Sequence, residues 1–165
     1  MRKFSLSLLA ISFFMLVFSG CSVENHAQPQ IYFESKAILH NSNNSFEAKI
    51  TSSQGQNITV SVITPESVKG MTYTLSNSTL YINSGGLRCI TVSDYLPSYS
   101  ALDVLFQSLS LMETHELVYS RNNEESDIYT LKAPPKEYSV YVDRKSGFIR
   151  EIRPMYNDAY ITFEY

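Results

Sequence analysis

Through most of the chain the apolar positions recur at every second residue. Phe46, Ala48 and Ile50 alternate with Glu47, Lys49 and Thr51, and Ile58, Val60 and Val62 alternate with smaller or more polar neighbours. Side chains change face at each residue of a strand, so this period predicts half-buried β-strands. The same reading predicts strands over 71–75, 79–83, 87–92, 115–120, 128–132, 138–142, 148–153 and 160–165. Residues 31–39 suit a strand or a short helix, and their periodicity does not decide between them. Turn chemistry separates the runs: Gly55-Gln56-Asn57, Asn77-Ser78, Ser84-Gly85-Gly86, the acidic stretch Asn122 to Asp127, and Asp143 to Gly147. Pro65 and the Pro134-Pro135 pair break strands because proline gives the ladder no donor.

The period changes once. Leu102, Leu105, Phe106, Leu109 and Met112 follow helical spacing, broadened by Ala101 and Val104. Ser100 stands where an N-cap belongs, with Asp103 at the capping-box position, and the helix is expected over roughly 98–113. One amphipathic helix among strands must bury its apolar stripe on a sheet. Short connections make antiparallel pairing the default. The expected architecture is mainly β. It is one strongly curved antiparallel sheet of about eight to ten strands, an incomplete β-barrel with the helix as a lid on its concave side.

The N-terminus follows a different rule. Arg2 and Lys3 precede fifteen residues, Phe4 to Phe18, with an apolar character, and Ser19-Gly20-Cys21 close the run. A basic head, a short apolar core and small closing residues describe a secretory signal, too short to span a bilayer with ease. The ending resembles a bacterial lipobox, with Phe18 where the pattern prefers Leu. That resemblance implies cleavage before Cys21 and acylation of its thiol by palmitate-type chains. The implied division is a signal peptide at 1–20, a lipidated, flexible tether at 21–30 and a single domain at 31–165. The implied location is exported, anchored by lipid to the outer face of the cell membrane. Ser22 favours the outer membrane if the envelope has two.

Composition narrows the function. The net charge of −3 becomes −5 once the two basic residues of the signal are removed, leaving 11 basic against 16 acidic side chains. An acidic chain without a basic cluster argues against nucleic acid, which is held through Lys and Arg at phosphates. If Cys21 carries lipid, Cys89 has no partner in the chain and reads as a small buried hydrophobe. There is no HExxH, CxxC, GxSxG or glycine-rich phosphate loop. His26, His40 and His115 are scattered, Glu113 and Glu116 read as solvated, and Glu124 to Asp127 read as a solvated turn. No catalytic residue, metal ligand or cofactor site is expected, so the chain reads as a non-enzyme.

Three stretches carry a family resemblance. SFEAKITSSQGQNITVSVITPESVKGMTYTL (45–75), TLYINSGGLRCITV (79–92) and YSVYVDRKSGFIREI (138–152) are similar to the strand–turn–strand and hairpin patterns of the LolA and LppX type of lipoprotein-handling fold. The likeness is greatest to small lipoproteins of spore-forming Firmicutes, which include germination-associated members. The resemblance implies a half-barrel with a helical lid that binds a lipid or other hydrophobic ligand. LolA is a soluble carrier, whereas an anchored chain cannot ferry cargo between membranes. Leu102, Leu105, Phe106 and Leu109 would line the lid side of the cavity. The alternative is an envelope scaffold holding a cell-wall or germination-related partner protein, or a second copy as a homodimer. Tyr81, Tyr95, Tyr99, Tyr138, Tyr141 and Tyr156 are its candidate contact residues.

Overall fold

The alternating runs become eleven strands of one sheet, joined by short turns. The structure, a computed structural model, describes residues 26–42, 44–54, 56–98 and 100–165. The signal segment, Cys21 and Tyr99 lie outside the described residues. In chain order the strands are β1 (Phe33–Asn41), β2 (Asn44–Ser53), β3 (Asn57–Thr64), β4 (Thr72–Ser76), β5 (Thr79–Ser84) and β6 (Leu87–Val92). After helix α1 (Ala101–Met112) come β7 (Leu117–Asn122), β8 (Ser126–Ala133), β9 (Lys136–Asp143), β10 (Ile149–Pro154) and β11 (Tyr160–Glu164). The ambiguous run at 31–39 is a strand. Its inward residues Phe33, Ser35, Ala37 and Leu39 are buried on every second position.

All pairings between strands are antiparallel, in the order β6-β5-β4-β3-β2-β1-β11-β10-β9-β8-β7. Two meanders therefore meet where β1 pairs with β11, Leu39 opposite Ile161. β6 and β7 are left as edges, so the barrel is not closed. The helix is the connection between those two edges. It packs on one face, which we call the inner face, against β1, β8, β10 and β11.

Ser100 caps α1 as expected, accepting from the Asp103 N–H at 3.2 Å. The box is half made. The Asp103 carboxylate is buried and turns to Lys136 Nζ, 3.0 Å away on β9. Asn41 Oδ1 accepts from the Ala101 N–H at 2.7 Å, which fastens the start of the helix to the end of β1. The helix thus begins three residues later than the expected 98, at the residue after its cap.

The hairpin at 143–147 is held by one carboxylate. Asp143 Oδ1 accepts from Ser146 N at 2.8 Å, Ser146 Oγ at 2.9 Å and Lys145 N at 3.0 Å. These bonds, the Ser146 pair foremost, with Arg150 beside it, hold its pKa below the ordinary carboxylate range. Gly147 has φ +75°, and a Cβ there would sit 2.8 Å from the Gln28 carbonyl oxygen. Glycine is required here both for backbone conformation and for the close approach of the N-terminal segment.

Residues 26–30 are part of the folded body rather than a free tether. Ala27 N donates to Asp127 Oδ2 at 3.0 Å, and Tyr129 Oη donates to the Ala27 carbonyl at 2.7 Å. Gln30 N and Nε2 reach the Gly147 and Ser146 carbonyls at 2.9 and 3.0 Å. The His26 ring stacks on Tyr119 at 3.7 Å. The expected boundary at residue 30 therefore moves back to at least 26. The cause is a set of partners about a hundred residues away, which local composition does not show.

Candidate functional site

The four residues expected to line a ligand cavity form the seam between α1 and the sheet. Leu105, Phe106 and Leu109 are 0%, 1% and 2% exposed, and Leu102 is half-buried. They pack with Leu39, Ile50, Val60, Leu131, Val140 and Ile161 in one continuous core. Beside Phe106 a recess of about 200 Å³ opens between α1 and the β4–β5 region, rimmed by Gln56, Ser78, Ser93, Asp94 and Ser110. It is a polar slot beside the helix.

Cover by the helix fades towards β6. Paired residues of an antiparallel ladder share a face, so the inner face can be read outward in rows. In the row of Ile58, the neighbours Leu75 and Leu80 are buried at 4% and 1%. In the row of Val60, Tyr73 and Ile82 are half-buried and Cys89 is exposed. In the row of Val62, Met71 and Ser84 are half-buried and Leu87 is 79% exposed. Met71, Tyr73, Ile82, Leu87 and Cys89 therefore form an uncovered apolar corner continuous with the core. Tyr73 Oη points to Met71 Sδ at 3.9 Å, and burial pushes its pKa above the ordinary tyrosine value. No inner-face position of β4, β5 or β6 carries a charge; Arg88 stands on the outer face, over the Tyr81 ring.

Cys89 departs from expectation. It alternates correctly, yet it is exposed because β6 is an edge and the helix does not reach it. Glu113, expected to be solvated, is half-buried and accepts from Gln56 N, at 3.1 Å through Oε2. The supposed solvated turn at 124–127 splits: Glu124 and Glu125 are exposed, whereas Asp127 is 1% exposed. Asp127 faces Arg144 Nε at 3.3 Å, a charge contact without hydrogen-bond alignment, and His26 Nδ1 at 3.8 Å. Among the scaffold tyrosines, Tyr95 and Tyr156 are 80% exposed, Tyr81 and Tyr141 are half-buried, and Tyr138 is fully buried. Tyr138 is core, because its inward register position on β9 lies opposite Leu131 and Pro154.

Among the described residues no three His, Cys, Asp or Glu side chains converge as metal ligands would. None of their helices is long and apolar enough to cross a membrane.

Sheet, helix and open corner define a mainly β protein with one open antiparallel sheet and a single packed helix. No family model matches the sequence, and no curated protein matches it. Solved structures similar in fold include the following two. One is an uncharacterized conserved protein from Thermus thermophilus, with a TM-score of 0.46, 9% identity and coverage of 79% of this chain and 74% of that one. The other is a LolA superfamily protein from Nitrosomonas europaea, with a TM-score of 0.46, 10% identity and coverage of 80% and 67%.

Proposed function

We propose that the chain is an exported lipoprotein, held to the membrane through Cys21, that binds an uncharged aliphatic chain on the open corner of its inner face. The observation that carries the ligand reading is the absence of any charge across the inner face of β4–β6, where the helix leaves Met71, Tyr73, Ile82, Leu87 and Cys89 uncovered. An apolar surface continuous with a core gains about 25 cal/mol for each Å² taken from water, whatever covers it. An acyl or isoprenoid chain suits the site because it brings no polar group that would need a partner. The corner spans three strands and about four residues along them, roughly 10 by 14 Å. It offers no general acid–base pair and no nucleophile with a base, so the role is binding without catalysis.

Native mass spectrometry of residues 22–165, released without detergent, tests this reading. A bound mass of a few hundred daltons that fragments as an acyl or isoprenoid lipid is the expected result. A persistently bare mass after incubation with such lipids would refute it.

A further inference from the structure

The two edges of the sheet are treated differently. β7 is guarded: its register shifts at a bulge between Tyr119 and Arg121, and His26 is stacked on Tyr119. β6 has none of these devices. Its register with β5 is unbroken from Leu87 to Val92, it holds no proline, and its single charge is Arg88. Leu87, Ile90 and Val92 are 79%, 59% and 45% exposed. A regular, apolar, unprotected edge strand is a template for another strand.

The phase of the edge follows from its turn. Gly85 and Gly86, at φ +54° and +88°, form a two-residue hairpin loop, so Ser84 and Leu87 are the closing hydrogen-bonded pair. Alternation points the backbone groups of Cys89 and Thr91 to β5 as well, and Ser93 N, in the same phase, donates to Ser78 O at 3.3 Å. The N–H and C=O groups of Arg88, Ile90 and Val92 therefore point away from the sheet.

We infer that β6 pairs with β6 of a second copy, antiparallel about a twofold axis at Ile90. That register sets Ile90 against Ile90 and Arg88 against Val92 of the second copy. All three outward N–H groups and all three C=O groups of each edge find partners. The two Arg88 side chains are kept apart, so no like charges oppose one another, and the exposed Ile90 and Val92 side chains cover each other. A foreign strand could use the same backbone groups, but the twofold match needs nothing the chain does not carry. The inference is independent of any ligand on the inner face.

In this register Cys89 faces Thr91 of the second copy in a non-hydrogen-bonded pair, with Cα atoms about 4.5 Å apart. That spacing lies within disulfide range. The test uses the full chain in membranes of an expressing host. Thr91→Cys, oxidised by diamide, which takes up the two electrons and two protons lost by the thiols, should give a disulfide-linked homodimer. Adding Cys89→Ser should abolish that band and so exclude Cys21 as the partner. Ile90→Pro removes an outward donor and spares the β5 ladder. It should raise the dimer dissociation constant about tenfold or more, with circular dichroism unchanged. A monomeric mass with no cross-link, a cross-link to another polypeptide alone, or a dimer insensitive to Ile90→Pro would overturn the inference.

Discussion

Phe106→Ala and Ile82→Lys separate core from binding surface. Phe106 is 1% exposed and borders, with Leu75 of β4, the recess beside α1. Truncating a buried Phe to Ala costs about 3–5 kcal/mol through lost transfer energy and the cavity left behind. For a chain of this size, each kcal/mol lowers Tm by about 2–4 °C, so a fall of roughly 6–20 °C is expected. Ile82 is half-buried on β5 at the open corner. A lysine there extends its charge past the edge to water, costing about 1 kcal/mol or less in stability. A bound aliphatic chain would cut that ammonium off from water, so binding should weaken tenfold or more. Thermal unfolding by circular dichroism and titration with a fluorescent, uncharged acyl ester read the two quantities apart. Phe106→Ala should lose stability and keep affinity below its lowered Tm; Ile82→Lys should do the reverse. If Phe106→Ala abolished binding while Tm stayed put, or Ile82→Lys bound normally, the ligand would lie beneath the helix and the reasoning would fail.

Further outcomes follow from the same contacts. Ser100→Ala removes the α1 cap and should cost about 1 kcal/mol, or roughly 2–4 °C in Tm, with the cap of no consequence if Tm is unchanged. Asp127→Ala leaves the Ala27 N–H and Arg144 without their partner. It should cost about 1.5–3 kcal/mol and speed hydrogen exchange at Ala27 and Gln30; unchanged exchange would show that the segment is held elsewhere. Partial burial of the ring pushes the Tyr165 phenol from 10.0 up to about 12. The neutral phenol is the form the fold prefers, so its contribution is full below pH 10.0 and lost as pH rises through about 12. Tyr165→Phe should flatten the fall in Tm over that range and remove the most alkaline part of the tyrosine titration at 295 nm. A curve identical to wild type would contradict this.

The strands were legible because one face of each is buried and the pleat has a period of two. β6 was located to the residue, Leu87 to Val92, with the Gly85-Gly86 turn fixing its start. The strand count came out at eleven rather than eight to ten, because every short run pairs with its neighbour in one sheet. Which strands form edges was not legible. Alternation shows that Cys89 shares a face with Ile82, but whether a helix covers that face depends on the crossing path of α1. Asp127 was hidden for a related reason. It sits in an acidic turn-like run, and its partners Ala27 and His26 are about a hundred residues away. Leu102, Leu105, Phe106 and Leu109 follow the helical period and lie on α1, the last three buried. Sequence could not tell a stripe that lines space from one that fills it, because both have the same period.

The most direct test of the open corner is the reaction rate of Cys89 with a small maleimide, in a Cys21→Ser background, with and without oleate. Cys89 is exposed on the uncovered strip, one strand from Ile82. The account predicts that oleate slows labelling at least about tenfold, in proportion to the bound mass seen by native mass spectrometry. Oleate that binds by mass while Cys89 reacts at its unliganded rate would place the ligand elsewhere and contradict the account.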